Sequence, residues 1–162
     1  MLPGENPHAH AERLARSKAE AVALTGAPGD VVIGADTIVV IDNTVLGKPA
    51  DKDQAAQMLR SLSGRKHTVI TAVAVRRNGK TRSSVEEVDV TFRALDADEI
   101  DAYIATGEPT DKAGAYGIQG YGATIVERID GDYFAVMGLA IVRVIALLRE
   151  AGVRYRFGSP LG

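Results

Sequence analysis

Hydrophobic positions along the chain recur at two spacings and divide it into alternating helices and hairpins. In His8–Leu24, Leu14, Lys18 and Val22 form one i, i+4 row flanked by Ala11, Ala15 and Ala19. This predicts a helix stopped by Gly26, with Lys18 on or beside its packed stripe. After a loop, Val31-Val32-Ile33 reads as a strand buried on both faces. The run resumes at Ile38–Ile41, turns at Asp42-Asn43 and returns through Val45-Leu46 to Gly47-Lys48-Pro49.

Asp51 followed by Gln54 predicts a capped second helix with Ala55, Met58, Leu59 and Leu62 inward, ended by Ser63-Gly64-Arg65. His67–Arg77 alternates around Val69, Thr71, Val73 and Val75, and Asn78-Gly79 is a strong hairpin turn. The return strand is expected over Val85–Phe92, with Val88, Val90 and Phe92 on one face. Asp96 and Glu99 open a third helix carrying Ile100, Tyr103 and Ile104, closed by Gly107 with Pro109 beyond. Thr110–Gly122 is glycine-rich and has neither period; such a stretch between regular elements is functional or disordered. Beyond it come a strand at Ala123–Ile129, a turn at Asp130-Gly131, a partner strand at Asp132–Met137, a helix at Leu139–Ala151 and a polar tail from Arg154 to Gly162. The alternation predicts an α/β or α+β domain with a mixed, strongly twisted sheet.

Composition changes this picture little. At 162 residues, 25% charged and 46% hydrophobic, the chain suits one domain, and its formal charge of −2 offers no basic surface for nucleic acid or an anionic membrane. It has no cysteine, so disulfides and thiolate chemistry are excluded. Apolar runs are strand-length and no leader is recognisable, which makes the cytoplasm the expected compartment.

Candidate chemistry centres on Asp36, a carboxylate inside a Val/Ile run, where burial is costly unless the group is paired, protonated or metal-bound. Gly34 lets the backbone pass something closely. Read alone, Asp36 is either a working acid or the partner of a buried base, Lys18 is a snorkelling lysine, and Lys48 and Gln119 are loop residues. Arg65 reads as a helix end, Asp111-Lys112 as a surface ion pair and Tyr116 as packing. His8, His10 and His67 do not make a metal site.

The motifs ADTIVV, LGKP, RSLSGRKHTVITAVAV, YIATGEPTDKAGAYGIQGYGA and IDGDYFAVMGL, with RLARSKA at Arg13–Ala19, stand in an order that resembles the Maf family of nucleoside triphosphate pyrophosphatases. The likeness runs from about Pro7 to about Leu148. It implies an inosine-triphosphatase-like fold: a long mixed sheet flanked by helices, with a cleft between two lobes. It also implies cleavage of a nucleoside triphosphate between the α and β phosphates with a divalent cation, Mg²⁺ or Mn²⁺. Carried over by motif, Asp36 is the catalytic acid–base or metal ligand, Lys18 and Lys48 bind phosphate, and Thr37 and Gln119 mark the type that prefers dTTP and UTP. An amide at Gln119 matches the donor and acceptor edge of uracil or thymine. The family further implies a homodimer, which no residue pattern here displays.

The same comparison finds no counterpart of the family's opening strand, Ser-x-Arg turn and acidic pair. Ser159-Pro160 does not stand in for the turn, and Glu5 is a poor substitute for the metal-sharing glutamate. The expectation is an N-terminally shortened Maf-like domain over 1–162, more readily an incomplete gene product than a natural short form, with an uncovered edge or face. The competing reading is an impaired nucleotide-binding or division-regulatory protein. Ala140, where the family usually has proline, predicts only a slightly altered helix start.

Overall fold

The computed structural model of the chain describes residues 1–158; the end of the expected polar tail, including Ser159-Pro160, lies outside them. The fold is α+β. Five strands, β1 (Val32–Ile41), β2 (Thr44–Leu46), β3 (Lys66–Arg77), β4 (Lys80–Phe92) and β5 (Val126–Asp130), hydrogen-bond in the order β2-β1-β3-β4-β5. β1 and β2 pair antiparallel through Val39–Leu46, Val40–Val45 and Ile41–Thr44, and β4 and β5 pair antiparallel from Asp89–Asp130 to Phe92–Val126. The helices are α1 (Pro7–Ala23), α2 (Lys52–Leu62), α3 (Ala97–Ala105), a single turn α4 (Tyr133–Val136) and α5 (Ile141–Glu150). No helix among the described residues is long and apolar enough to cross a membrane. The described chain divides into two compact units, one of residues 1–37, 71–86 and from 138 onward, the other of 38–70 and 87–137.

In the first unit, Asn6 caps α1 by accepting from the Ala9 amide, with Pro7 in the first turn. Its fully buried residues are Ala11, Ala15 and Ala19, whereas Val22 is 59% exposed, so the row predicted through Leu14 and Val22 is not the packed one. Small side chains win because this helix lies directly on strand backbone. A Cβ placed on Gly34 would overlap the Ala15 carbonyl oxygen and come within 2.8 Å of the Ala19 amide nitrogen.

A polar network on another side of α1 ties it to β4. Arg16 donates to Ser83 Oγ at 2.9 Å, Ser83 to Glu12 at 2.6 Å, and Thr81 to Glu20 at 2.9 Å. These contacts, with the Asn78-Gly79 turn at φ 49° and 76°, extend β4 five residues before the predicted start at Val85. No apolar alternation announces Lys80–Ser84. α5 buries Val144, Leu147 and Leu148 and leaves Val142 exposed, and it starts two residues after the predicted Leu139. Arg77 donates to the Ala151 carbonyl at its C-terminal end.

The second unit keeps most predicted elements. Asp51 caps α2, and Asp96 with Glu99 forms the reciprocal box of α3. Asp42 and Asn43 both have positive φ, as a tight two-residue hairpin turn requires.

Three further expectations fail. Val31–Ile33 is not buried on both faces, since Ile33 is 43% exposed; burial along β1 is heaviest from Ile38 onward. β3 does not alternate, because Val69 to Val75 is buried without interruption, on both faces of the strand. Asp132–Met137 is not a strand: the Asp132 carboxylate accepts from the Phe134 amide and starts a helical turn. Gly131, with φ +135° and its Cβ position 3.0 Å from Val88, turns the chain out of β5.

Gly34→Ala is expected to lower stability by about 1–3 kcal/mol, read as a fall in the denaturation midpoint. An unchanged midpoint would mean that α1 is not seated on the bare backbone of β1.

Candidate functional site

In the first unit the seat at Gly34 decides which side chains meet. Gly34 and Asp36 share one face of β1, because side chains alternate along a strand. With Ala15 and Ala19 pressed on Gly34, Lys18 is brought over the strand two residues on. Its Nζ donates to Asp36 Oδ1 at 2.7 Å and to the Ala35 carbonyl at 2.9 Å. The Asp36 side chain is 13% exposed and that of Lys18 57% exposed. The apolar setting of Asp36 is thus satisfied by a lysine that reaches in from solvent, and Oδ2 carries no hydrogen bond from the described residues.

Thr37 points to the opposite face. Its hydroxyl shares a 2.7 Å hydrogen bond with that of Thr71, which is fully buried on β3. Gly138 lies beside it, with a Cβ position 3.7 Å from Thr37 Oγ1.

In the second unit, Lys48 stands exposed after the β1–β2 hairpin, and the neighbouring Gly47 carbonyl accepts from the Gly114 amide at 3.0 Å. That bond ties the lysine's segment to the glycine-rich stretch carrying Gln119. The stretch is ordered as three short 3₁₀ turns, at Glu108–Asp111, Ala113–Ala115 and Gly120–Thr124, with Gln119 exposed at the start of the last. Lys112 donates to Asp111 at 2.6 Å and to the Glu108 carbonyl at 3.1 Å. Lys112 and Lys48 both hold the Asp111 carboxyl below its usual range, Lys112 more strongly.

The residue organising this stretch is Glu108. Its Oε1 accepts from the Tyr103 hydroxyl at 2.8 Å and the Gly122 amide at 2.9 Å, and its Oε2 from the Tyr121 amide at 2.9 Å. Burial raises the Glu108 pKa, but the amide and hydroxyl donors outweigh it and leave the carboxyl below its ordinary value. Tyr103 also accepts from the Gly117 amide at 3.2 Å, while burial and the Glu108 bond push its own hydroxyl upward.

Under the stretch, Tyr116 is buried edge-on to both Phe92 and His67 and shares a 2.8 Å hydrogen bond with His67 Nε2. Ala115, just before it, is held at φ +60°, a region few non-glycine residues adopt.

The sequence reading passed over Glu108 because a glutamate after a helix-stopping glycine looks like a solvated helix end. The available signal was Gly120 and Gly122. Their missing Cβ atoms would fall 2.5 Å and 3.0 Å from the Glu108 oxygens. Arg65 is a helix-end residue as expected, forked onto both oxygens of Asp42. Glu5 is taken up by Arg13, His10 and the Leu2 amide, with Arg13 the main cause of its strongly lowered pKa. Among the described residues no group of three or more His, Cys, Asp or Glu could hold a metal ion.

A family model described as "Maf-like protein" matches residues 2–151. The chain is 54% identical over 154 residues to a dTTP/UTP pyrophosphatase of Syntrophomonas wolfei, covering 94% of this chain and 81% of that protein. It is 51% identical over 164 residues to one from Anaeromyxobacter dehalogenans strain 2CP-1, covering 99% and 82%, and 48% identical over 149 residues to one from Bacillus velezensis, covering 92% and 78%.

The buried His67 beneath the glycine stretch makes a pH test. Burial lowers its pKa from 6.5 to about 4, against smaller opposing effects of the Arg65 backbone and Asp89. Between those values the unfolded chain binds a proton that the folded chain excludes. The contribution to stability is therefore complete above about pH 6.5 and is lost as pH falls towards about 4. Thermal midpoints across this window should fall more steeply for the wild type than for His67→Asn; equal slopes would assign the proton elsewhere.

Proposed function

The chain belongs to the Maf-like protein family, and from that premise we propose that it hydrolyses dTTP and UTP to the nucleoside monophosphate and pyrophosphate. The observation carrying this reading is an identity of 48–54%, over at least 92% of the chain, to three relatives bearing that activity as their name.

The chemistry follows from the side chains. Water adds to the α-phosphorus, the bond from that phosphorus to the bridging oxygen breaks, and pyrophosphate leaves with the electron pair. Asp36 takes the proton from the water on Oδ2 while Lys18 holds Oδ1. Lys48, exposed on its hairpin, offers a point charge to the phosphate chain. Gln119 offers one amide donor and one acceptor to the uracil or thymine edge, and cytosine presents a different pattern. Thr37 acts on specificity through its neighbours, since its hydroxyl is already bonded to Thr71.

A hard divalent cation, Mg²⁺ or Mn²⁺, fits the donor chemistry of Asp36. Such ions accept one or two carboxylates and complete their shell with water and substrate phosphates. With Oδ1 held by Lys18, Asp36 would lend Oδ2 to such an ion in place of accepting the proton itself, so the two roles are alternatives. Bound there, the ion would supply charge against the phosphate oxygens.

The test is pyrophosphate release with Mg²⁺ from UTP, dTTP, CTP, GTP and ATP. UTP and dTTP should be preferred, and Asp36→Asn should lower the rate by about 10²–10⁴-fold while the thermal midpoint is held. Lys48→Ala should weaken all triphosphates alike. No release from UTP or dTTP by the folded chain, or an Asp36→Asn variant as fast as wild type, would overturn the reading.

A further inference from the structure

We propose that Glu108 is a positioning residue for nucleobase discrimination: by clasping the backbone of residues 117–122, it holds Gln119 in the one orientation that reads a pyrimidine edge. The inference deepens the function proposed above and rests on it in one clause, that Gln119 meets the base.

Gln119 cannot orient itself. It is exposed, it opens a 3₁₀ turn without capping it, and four glycines surround it at 114, 117, 120 and 122. An exposed amide on so permissive a backbone would sample many directions. What limits it is the carboxylate of Glu108, which takes both amides after Gly120 and the Tyr103 hydroxyl, while Tyr103 in turn takes the amide of Gly117. The residues before and after Gln119 are thus fixed to one pair of side chains. A side chain at Gly120 would run into the Glu108 carboxylate, and one at Gly122 would overlap the Gly117 carbonyl oxygen and crowd the Tyr103 hydroxyl, so both glycines belong to the clasp. The Glu108 backbone carbonyl also holds Lys112, whose side chain packs along Gly117, with Cε 3.0 Å from that residue's Cβ position. Glu108 itself is half-buried, and both its oxygens are occupied by the loop and the Tyr103 hydroxyl. It therefore acts through the loop and is not a catalytic residue.

A carboxylate is needed here. Both oxygens accept, and three donors converge on them. In Glu108→Gln one oxygen becomes an NH₂ group facing an N–H or O–H, donor against donor, so at least one loop amide loses its acceptor. Tyr103→Phe removes the hydroxyl that links Glu108 to Gly117 and keeps the ring; it serves if the first variant does not fold.

The experiment measures equilibrium binding of non-hydrolysable UTP and CTP analogues to wild type, Glu108→Gln and Tyr103→Phe, with amide hydrogen exchange at residues 117–122. Wild type should prefer the UTP analogue. Glu108→Gln should lose at least tenfold of that preference and exchange at least one of the Tyr121 and Gly122 amides faster, and Tyr103→Phe should fall between. A purely structural role would weaken both analogues equally and leave the ratio unchanged, which overturns the proposal, as would unchanged exchange. A wild type without preference also overturns it, since nothing would be left to position. Pyrophosphate release from UTP by the wild type, measured separately, tells that outcome apart from failure of the pyrophosphatase reading.

Discussion

The absence of one side chain governs the first unit. Because position 34 has no Cβ, α1 lies on the backbone of β1, and an alanine stripe serves better than a leucine stripe. That approach brings Lys18 over Asp36 and makes a buried-strand carboxylate tolerable. The ion pair by itself adds little stability, since its lysine is largely in solvent. Its worth is geometric: it fixes one carboxylate oxygen and leaves the other open. Packing and the ion pair here share a cause, because whatever lifts α1 from Gly34 also withdraws the lysine.

The second unit solves a different problem. A glycine-rich stretch has much conformational entropy to lose, and hydrophobic burial cannot hold it where its residues must face solvent. The solution is polar above and aromatic below: Glu108 gathers the amides, and Tyr116 anchors the chain between His67 and Phe92. Both devices depend on residues that lie outside the stretch itself.

Helices with caps and tight turns were legible from local sequence. Asp51, Asp96 with Glu99, Asp42-Asn43 and Asn78-Gly79 all act where they stand, within a few residues of their partners. The motif order likewise named Asp36, Lys18, Lys48, Thr37 and Gln119 as residues of interest. Illegible features were those set at a distance. β4 starts early because Arg16, Glu12 and Glu20 reach it from more than sixty positions away. β3 is buried on both faces by parts of the chain remote from it in sequence, which Thr71, Ala72 and Ala74 do not declare. Asp132 was misread because a side chain that caps a helix can equally begin a turn into a strand. Glu108 was missed since its partners lie thirteen and fourteen positions ahead.

The anchor of the glycine stretch also bears on the order in which the chain acquires its structure. Tyr116 meets His67 across 49 positions of sequence, and Ala115 beside it occupies a strained conformation that only a formed neighbourhood sustains. Loop closure over such a span is rewarded only after the distant partners are in place. β3 and β4 must therefore bring His67 and Phe92 together before Tyr116 has a seat. The order of the glycine stretch is on this account a late-arriving property of the folding chain, and the first to be surrendered when the sheet beneath it loosens.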